Sequence, residues 1–230
     1  MQRLSLEYIV REPAVGTAGA RPPLLLLLHG IGSNEQDLFG LTPALDPRFL
    51  IASLRAPITL QGGAYAWYHT QFLPTGYIID EAAAEQSRQG LLKFIDEIVK
   101  ARGVDEQRVF LMGFSQGCIM SIAAALTAPR KFAGIVGMSG RLLPGVESKI
   151  APKQELRGLP ILLVHGKADS VIPVSYGHQM RDDLQGLGVD VTYIEYPMAH
   201  NISRETLDDV ARWLTARLDD KHDWRASGAQ

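Results

Sequence analysis

The sequence has a single cysteine, Cys118, among 230 residues, which excludes an internal disulfide framework and is compatible with a reducing compartment. It has no excess of either charge: 23 Lys and Arg stand against 25 Asp and Glu, a net charge of -2, so nothing favours nucleic acid or an anionic membrane surface as a partner. The apolar run Leu24–Leu28 falls far short of the ~20 residues needed to cross a bilayer. The first residues, Met1-Gln2-Arg3-Leu4-Ser5-Leu6-Glu7, lack the apolar core of a signal peptide. A soluble, cytoplasmic protein without stable membrane insertion is the expectation. The histidines and acids show no ligand spacing, so neither a metal nor an organic cofactor is implied. Repeats, linkers and shifts in composition are missing too. One domain over 1–230 is therefore expected, its tail frayed from about residue 220, with a hydrophobic content of 46% ample for its core.

What the chain does have is an alternation of short apolar runs and helix-like segments. Leu4–Val10 alternates like a half-buried edge strand, and Pro13–Pro23 reads as a loop. Leu24–Leu28 is apolar on both faces, the mark of a strand between two helix layers. Further strands are expected at Phe49–Leu54, Val109–Met112, Phe132–Met138, Ile161–Val164 and Val189–Tyr196. Helices are expected at Ala82–Lys100, Gln116–Thr127, Val174–Leu187 and Glu205–Leu218. This order predicts an α/β fold with a mostly parallel sheet and helices on both faces. No long helical insertion interrupts it, so no separate cap domain is expected. Gln61–Gly76 is aperiodic and reads as a loop; its Trp67, Tyr68 and Phe72 either cover the core or wall a substrate pocket.

The stretch Gly113-Phe114-Ser115-Gln116-Gly117 lies between an apolar run and a helix-like run. In that setting Gly-x-Ser-x-Gly forms a nucleophile elbow, with the serine on a strained turn at the strand's carboxyl end. By itself the pattern is also what a glycine-rich turn would show. A serine hydroxyl needs a histidine to take its proton and an acid to fix that histidine's tautomer, following the serine in the order acid, then histidine. Of the later histidines, His178 falls in a predicted helix, His222 in the tail, and His165 precedes the acid candidate and reads as a loop support. His200 lies in a short strand-to-helix loop and fits the base; Asp169, just past a buried strand, fits the acid. The run His29-Gly30-Ile31-Gly32 at a strand end supplies an oxyanion donor, the Ile31 N–H, with the Gln116 N–H as the other. His29 reads as a buried structural histidine, Cys118 as a buried small side chain, and Ser33–Asp37 as a helix cap.

These segments carry a resemblance. His29-Gly30-Ile31-Gly32, Gly113-Phe114-Ser115-Gln116-Gly117, His165-Gly166-Lys167-Ala168-Asp169-Ser170-Val171-Ile172-Pro173 and Ala199-His200 together resemble the phospholipase/carboxylesterase family of serine α/β-hydrolases, from about Leu24 to about Leu218. The resemblance implies an α/β-hydrolase fold with Ser115 as nucleophile, Asp169 as orienting acid and His200 as base. Gly32–Leu38 and Gly62–Tyr68 look more like the bacterial carboxylesterase branch than the acyl-protein thioesterases, which carry an aspartate where this chain has His69. Dienelactone hydrolases are similar in fold but use cysteine at the Ser115 position. The implied function is cleavage of a small-molecule carboxylic ester through an acyl-enzyme. Alternatives are an acyl thioesterase or lysophospholipase with the same triad and, in a different class, a catalytically silent hydrolase-fold binding module. Oligomeric state is left open, a homodimer included, since some relatives pair.

Overall fold

The computed structural model describes residues 4–14, 21–73, 76–220 and 223–226, apart from the side chain of Phe72. In chain order the strands are β1 (Tyr8–Arg11), β2 (Leu24–Leu28), β3 (Leu50–Leu54), β4 (Ile58–Thr59), β5 (Tyr65–Ala66), β6 (Thr70–Leu73), β7 (Gly76–Ile79), β8 (Val109–Phe114), β9 (Gly134–Met138), β10 (Pro160–Gly166) and β11 (Asp190–Tyr196). The helices are α1 (Gln36–Phe39), α2 (Glu81–Arg102), α3 (Gln116–Thr127), α4 (Lys153–Leu156), α5 (Val174–Gly186) and α6 (Arg204–Asp219).

Seven strands form one sheet in the order β1-β3-β2-β8-β9-β10-β11. Only the edge strand β1 is antiparallel; the other pairings are parallel. Five leucines in a row can make β2 because both of its faces are covered. Leu24, Leu26 and Leu28 pack with Leu91, Phe94 and Ile98 of α2 and with α3, whereas Leu25 and Leu27 pack with Leu38 of α1 and Val210 and Leu214 of α6. The chain runs from β2 outward to β3, then returns to add β8 on the other side of β2. That reversal leaves the carboxyl ends of β2 and β8 side by side without a crossover above them, the usual place for a ligand in an open parallel sheet. Leu28 pairs with Gly113, so the His29–Gly32 and Ser115 turns leave the sheet at the same level.

Helix ends follow local rules. Asp80 caps α2 by accepting from the Ala83 N–H, and Gly103 ends it in the left-handed region at φ 59°. Ser203 caps α6 by accepting from the Thr206 N–H. Among the described residues no helix is long and apolar enough to cross a membrane.

One expectation needs correction. Gln61–Gly76 is not a plain loop: β4 pairs with β5 and β6 with β7 as two short antiparallel ribbons. Strands of two to four residues are too short to show an alternation in sequence. Within the described part of the tail, Trp224 is buried and its indole N–H donates to the Phe132 carbonyl at 3.1 Å; His222 lies outside the described residues.

Candidate active site

Ser115 sits between β8 and α3 with φ 55° and ψ -120°, a conformation a side-chain-bearing residue adopts only under constraint. The constraint is visible on both sides. The Ser115 N–H donates to the Met138 carbonyl at 3.0 Å, and its carbonyl accepts from the Ile119 N–H at 3.1 Å. The flanking glycines permit the crossing: a Cβ on Gly117 would lie 1.9 Å from the Leu28 carbonyl oxygen, and one on Gly113 would lie 2.3 Å from that of Gly117. Only glycine lets strand, turn and helix approach so closely.

The loop after β11 brings His200 to this turn, with Nε2 3.0 Å from Ser115 Oγ. His200 Nδ1 lies 2.7 Å from Asp169 Oδ2. A carboxylate only accepts, so Nδ1 carries the proton and Nε2 presents its lone pair to the serine. Asp169 is held in turn by the backbone, its Oδ1 accepting from the N–H groups of Val171 at 2.9 Å and Ile172 at 2.8 Å. His165 braces the same loop by donating from Nε2 to the Ile172 carbonyl at 2.8 Å. The side chain of Asp169 is fully shielded, that of His200 is 16% exposed and Ser115 as a residue is 6% exposed. Water is thus kept from the acid, while the histidine retains some exposure. The Phe114 ring, 4.8 Å from the imidazole between centroids, backs it.

The two expected oxyanion donors belong to residues that line the cavity containing this serine. Gln116 opens α3, where the first N–H groups of a helix have no intrahelical acceptor, and Ile31 lies at the end of β2 and lines the same cavity as Ser115. The His29–Ser33 turn is fixed by exchange with β5, Gly32 N–H to Tyr65 O at 2.9 Å and Tyr65 N–H to Ser33 O at 2.8 Å. His29 is fully buried: its Nδ1–H donates to Gly30 O at 2.7 Å and its Nε2 accepts from the Ala56 N–H at 3.1 Å, so the ring is structural and neutral. Burial also pushes its pKa down. The Gln116 side chain, which sequence reasoning passed over, ties the ribbon segment to the elbow. Its Oε1 accepts from the Trp67 N–H at 3.0 Å and its Nε2 donates to Tyr68 O at 2.8 Å.

A cavity of about 390 Å³ opens over Ser115, lined among others by Ile31, Tyr68, Tyr77, Arg141 and Tyr176. Of the aromatics singled out in the sequence, Tyr68 lines it. Trp67 is fully buried and its indole N–H donates to His29 O at 3.0 Å, outside the lining; the side chain of Phe72 is not among those described. Tyr77, the later aromatic of the same stretch, also lines it, whereas Arg141 and Tyr176 were not anticipated, because they come from segments far apart in sequence that meet only over the elbow. A larger cleft of about 720 Å³ surrounds Val109 and Lys131. It lies at the amino end of β8, away from Ser115. Among the described residues no group of three His, Cys, Asp or Glu side chains could hold a metal ion.

A family model described as phospholipase/carboxylesterase matches residues 14–218. The chain is 37% identical over 123 residues to acyl-protein thioesterase 1 of Gibberella zeae, a match covering 52% of this chain and about half the length (52%) of that relative. It is 30% identical over 216 residues to a protein of Oryza sativa subsp. japonica named "probable inactive carboxylesterase", covering 88% of this chain and 87% of that protein. In fold it is similar to a solved carboxylesterase from Mesorhizobium loti, with a TM-score of 0.80 at 20% identity, covering 94% of this chain and 97% of that one.

Proposed function

The chain belongs to the phospholipase/carboxylesterase family, and on that premise we propose that it is a carboxylic ester hydrolase using Ser115 as nucleophile, His200 as base and Asp169 as orienting acid. The observation that carries this reading is the continuous contact from Asp169 Oδ2 to His200 Nδ1 at 2.7 Å and from His200 Nε2 to Ser115 Oγ at 3.0 Å. A serine proton can leave along that line only if the imidazole is held in this tautomer, which the buried carboxylate does.

In the first half-reaction His200 Nε2 takes the Ser115 proton as Oγ bonds to the ester carbonyl carbon. The carbonyl oxygen becomes an oxyanion held by the Ile31 and Gln116 N–H groups. Removing one donor of this kind typically costs about a hundredfold or more in rate. The tetrahedral species collapses with cleavage of the carbon–alkoxy bond, and the imidazolium gives its proton to the departing alcohol. Water then passes a proton to the same nitrogen, its oxygen attacks the acyl carbon, and Ser115 leaves with the proton restored.

The test is mass-spectrometric mapping of a fluorophosphonate adduct alongside hydrolysis of p-nitrophenyl esters from acetate to palmitate. An adduct on Ser115, with loss of both adduct and turnover in Ser115→Ala, is the expected result. Turnover surviving in Ser115→Ala at more than a few per cent would overturn the assignment. A thioesterase or lysophospholipase reading uses the same residues. It is favoured by the acyl-protein thioesterase among the relatives and by the apolar rim of the cavity, where Leu73, Val171 and Tyr176 are exposed. A preference for long-chain esters or thioesters would select it. The silent binding module, for which the rice relative named inactive is a precedent, predicts neither adduct nor turnover. It is disfavoured by the Ser115–His200–Asp169 contact.

A further inference from the structure

We propose that Arg141 is a specificity residue that binds a fixed negative charge on the substrate, so that the preferred esters carry an anionic group on the acyl or alcohol portion occupying the cavity. This rests on the hydrolase reading for its substrates, but not for the site itself. Arg141 lines the cavity that contains Ser115 and is 6% exposed. A guanidinium has five N–H donors and stays charged, and burying it without a counter-charge is unfavourable. Yet among the described residues no carboxylate lies within ion-pair distance of it, and no other residue lining the cavity is charged. Among the described residues its one acceptor is the Leu142 carbonyl, 3.2 Å from Nη1. The Tyr77 ring lies 3.7 Å below the guanidinium carbon, which stabilises one face of the cation but accepts none of the remaining in-plane donors.

Two further features converge on the same space. Tyr68, also lining the cavity, is buried, and among the described residues its hydroxyl has no hydrogen-bond partner. A buried hydroxyl without a partner and a buried guanidinium without a counter-charge, lining one cavity, are the donor set that a carboxylate or similar oxyanion completes. The backbone delivering Arg141 is also constrained. Ser139, just past β9, holds φ 50°, and its N–H donates to Val164 O at 2.8 Å, so the chain turns sharply before Arg141. Leu73, Val171 and Tyr176 give the mouth an apolar rim.

The experiment compares matched esters on wild type, Arg141→Met and Arg141→Lys. Mono-p-nitrophenyl glutarate against p-nitrophenyl pentanoate reads charge on the acyl side; 4-acetoxybenzoate against its methyl ester reads charge on the alcohol side. In wild type one charged ester of the two pairs should exceed its neutral partner in kcat/KM, and the pair that does so locates the charge. Arg141→Met should lower that charged-to-neutral ratio by about tenfold to a hundredfold, with Lys intermediate because it keeps the charge but not the fork. A role limited to clamping Tyr77 would depress charged and neutral esters together and leave the ratio fixed. An unchanged ratio in Arg141→Met, or no preference for charge in wild type, overturns the inference even when fluorophosphonate still labels Ser115. If no ester is turned over and no label forms, the hydrolase reading fails instead. Calorimetric binding of glutarate to wild type and to Arg141→Met then decides the anion site, equal or absent binding refuting it.

Discussion

Replacing Asp169 by asparagine separates orientation from packing, because the two oxygens of Asp169 have different duties. Oδ1 accepts two backbone N–H groups, from Val171 at 2.9 Å and Ile172 at 2.8 Å, while Oδ2 faces His200 Nδ1 at 2.7 Å. An asparagine must place its single oxygen against the two backbone donors, since an amide NH₂ there would oppose N–H with N–H. Its NH₂ is then directed at His200. Nδ1 has to accept, the imidazole proton moves to Nε2, and Ser115 Oγ meets a donor in place of a base. A wrong tautomer of this kind lowers kcat by roughly 10³ to 10⁴, equivalent to about 4–5.5 kcal/mol of barrier. The loop itself should hold, because both backbone hydrogen bonds survive. Asp169→Ala, by contrast, leaves the Val171 and Ile172 N–H groups without an acceptor and should lose about 1–3 kcal/mol of stability. Steady-state hydrolysis of p-nitrophenyl acetate together with denaturant unfolding of the three proteins reads both quantities. Retention of more than a tenth of wild-type kcat/KM in a folded Asp169→Asn enzyme would refute the reasoning from amide orientation.

Two other predictions concern buried groups near the site. Burial lowers the pKa of His29, so the unfolded chain binds its proton below about pH 6.5 while the folded protein does not until the pH is lower still. That contribution to stability is fully present above about pH 6.5 and is lost as the pH falls, at up to about 1.4 kcal/mol per pH unit. Wild type should therefore lose more unfolding free energy than His29→Gln between pH 7 and 5.5, and equal losses would contradict the assignment. Cys118 is fully buried with its thiol pKa pushed up to about 12 by desolvation. Iodoacetamide should leave it unmodified in the native protein and alkylate it once denaturant unfolds the chain; native alkylation seen by mass spectrometry would refute this.

Much of the fold was legible because burial on both faces writes itself into composition. Leu24–Leu28 and Ile161–Val164 have no polar side, and only a strand covered by helices on two sides tolerates that. The elbow was legible for a steric reason, since glycines at 113 and 117 are required wherever β8, the Ser115 turn and α3 cross. Chain order with strand-end positions points to Asp169 and His200, which the fold brings into contact with each other and with Ser115. What the linear pattern could not hold were features assembled from distant segments. The short ribbons β4–β5 and β6–β7 have too few residues to display a period, and the Gln61–Gly76 stretch read as a loop. Whether its aromatics covered the core or lined a pocket was settled one residue at a time, Trp67 going inward to His29 and Tyr68 to the cavity. The environment of Arg141 is likewise invisible in its neighbours. Its ring partner lies 64 positions earlier, at Tyr77, and that none of the described residues sets a carboxylate against it is a property of the cavity as a whole. Sequence determines which groups are available and which faces must be buried, since those depend on side-chain chemistry and local geometry. Which groups meet, and which are left without a partner, is decided by packing across the sheet's switch point, where β2, β8 and the later loops converge.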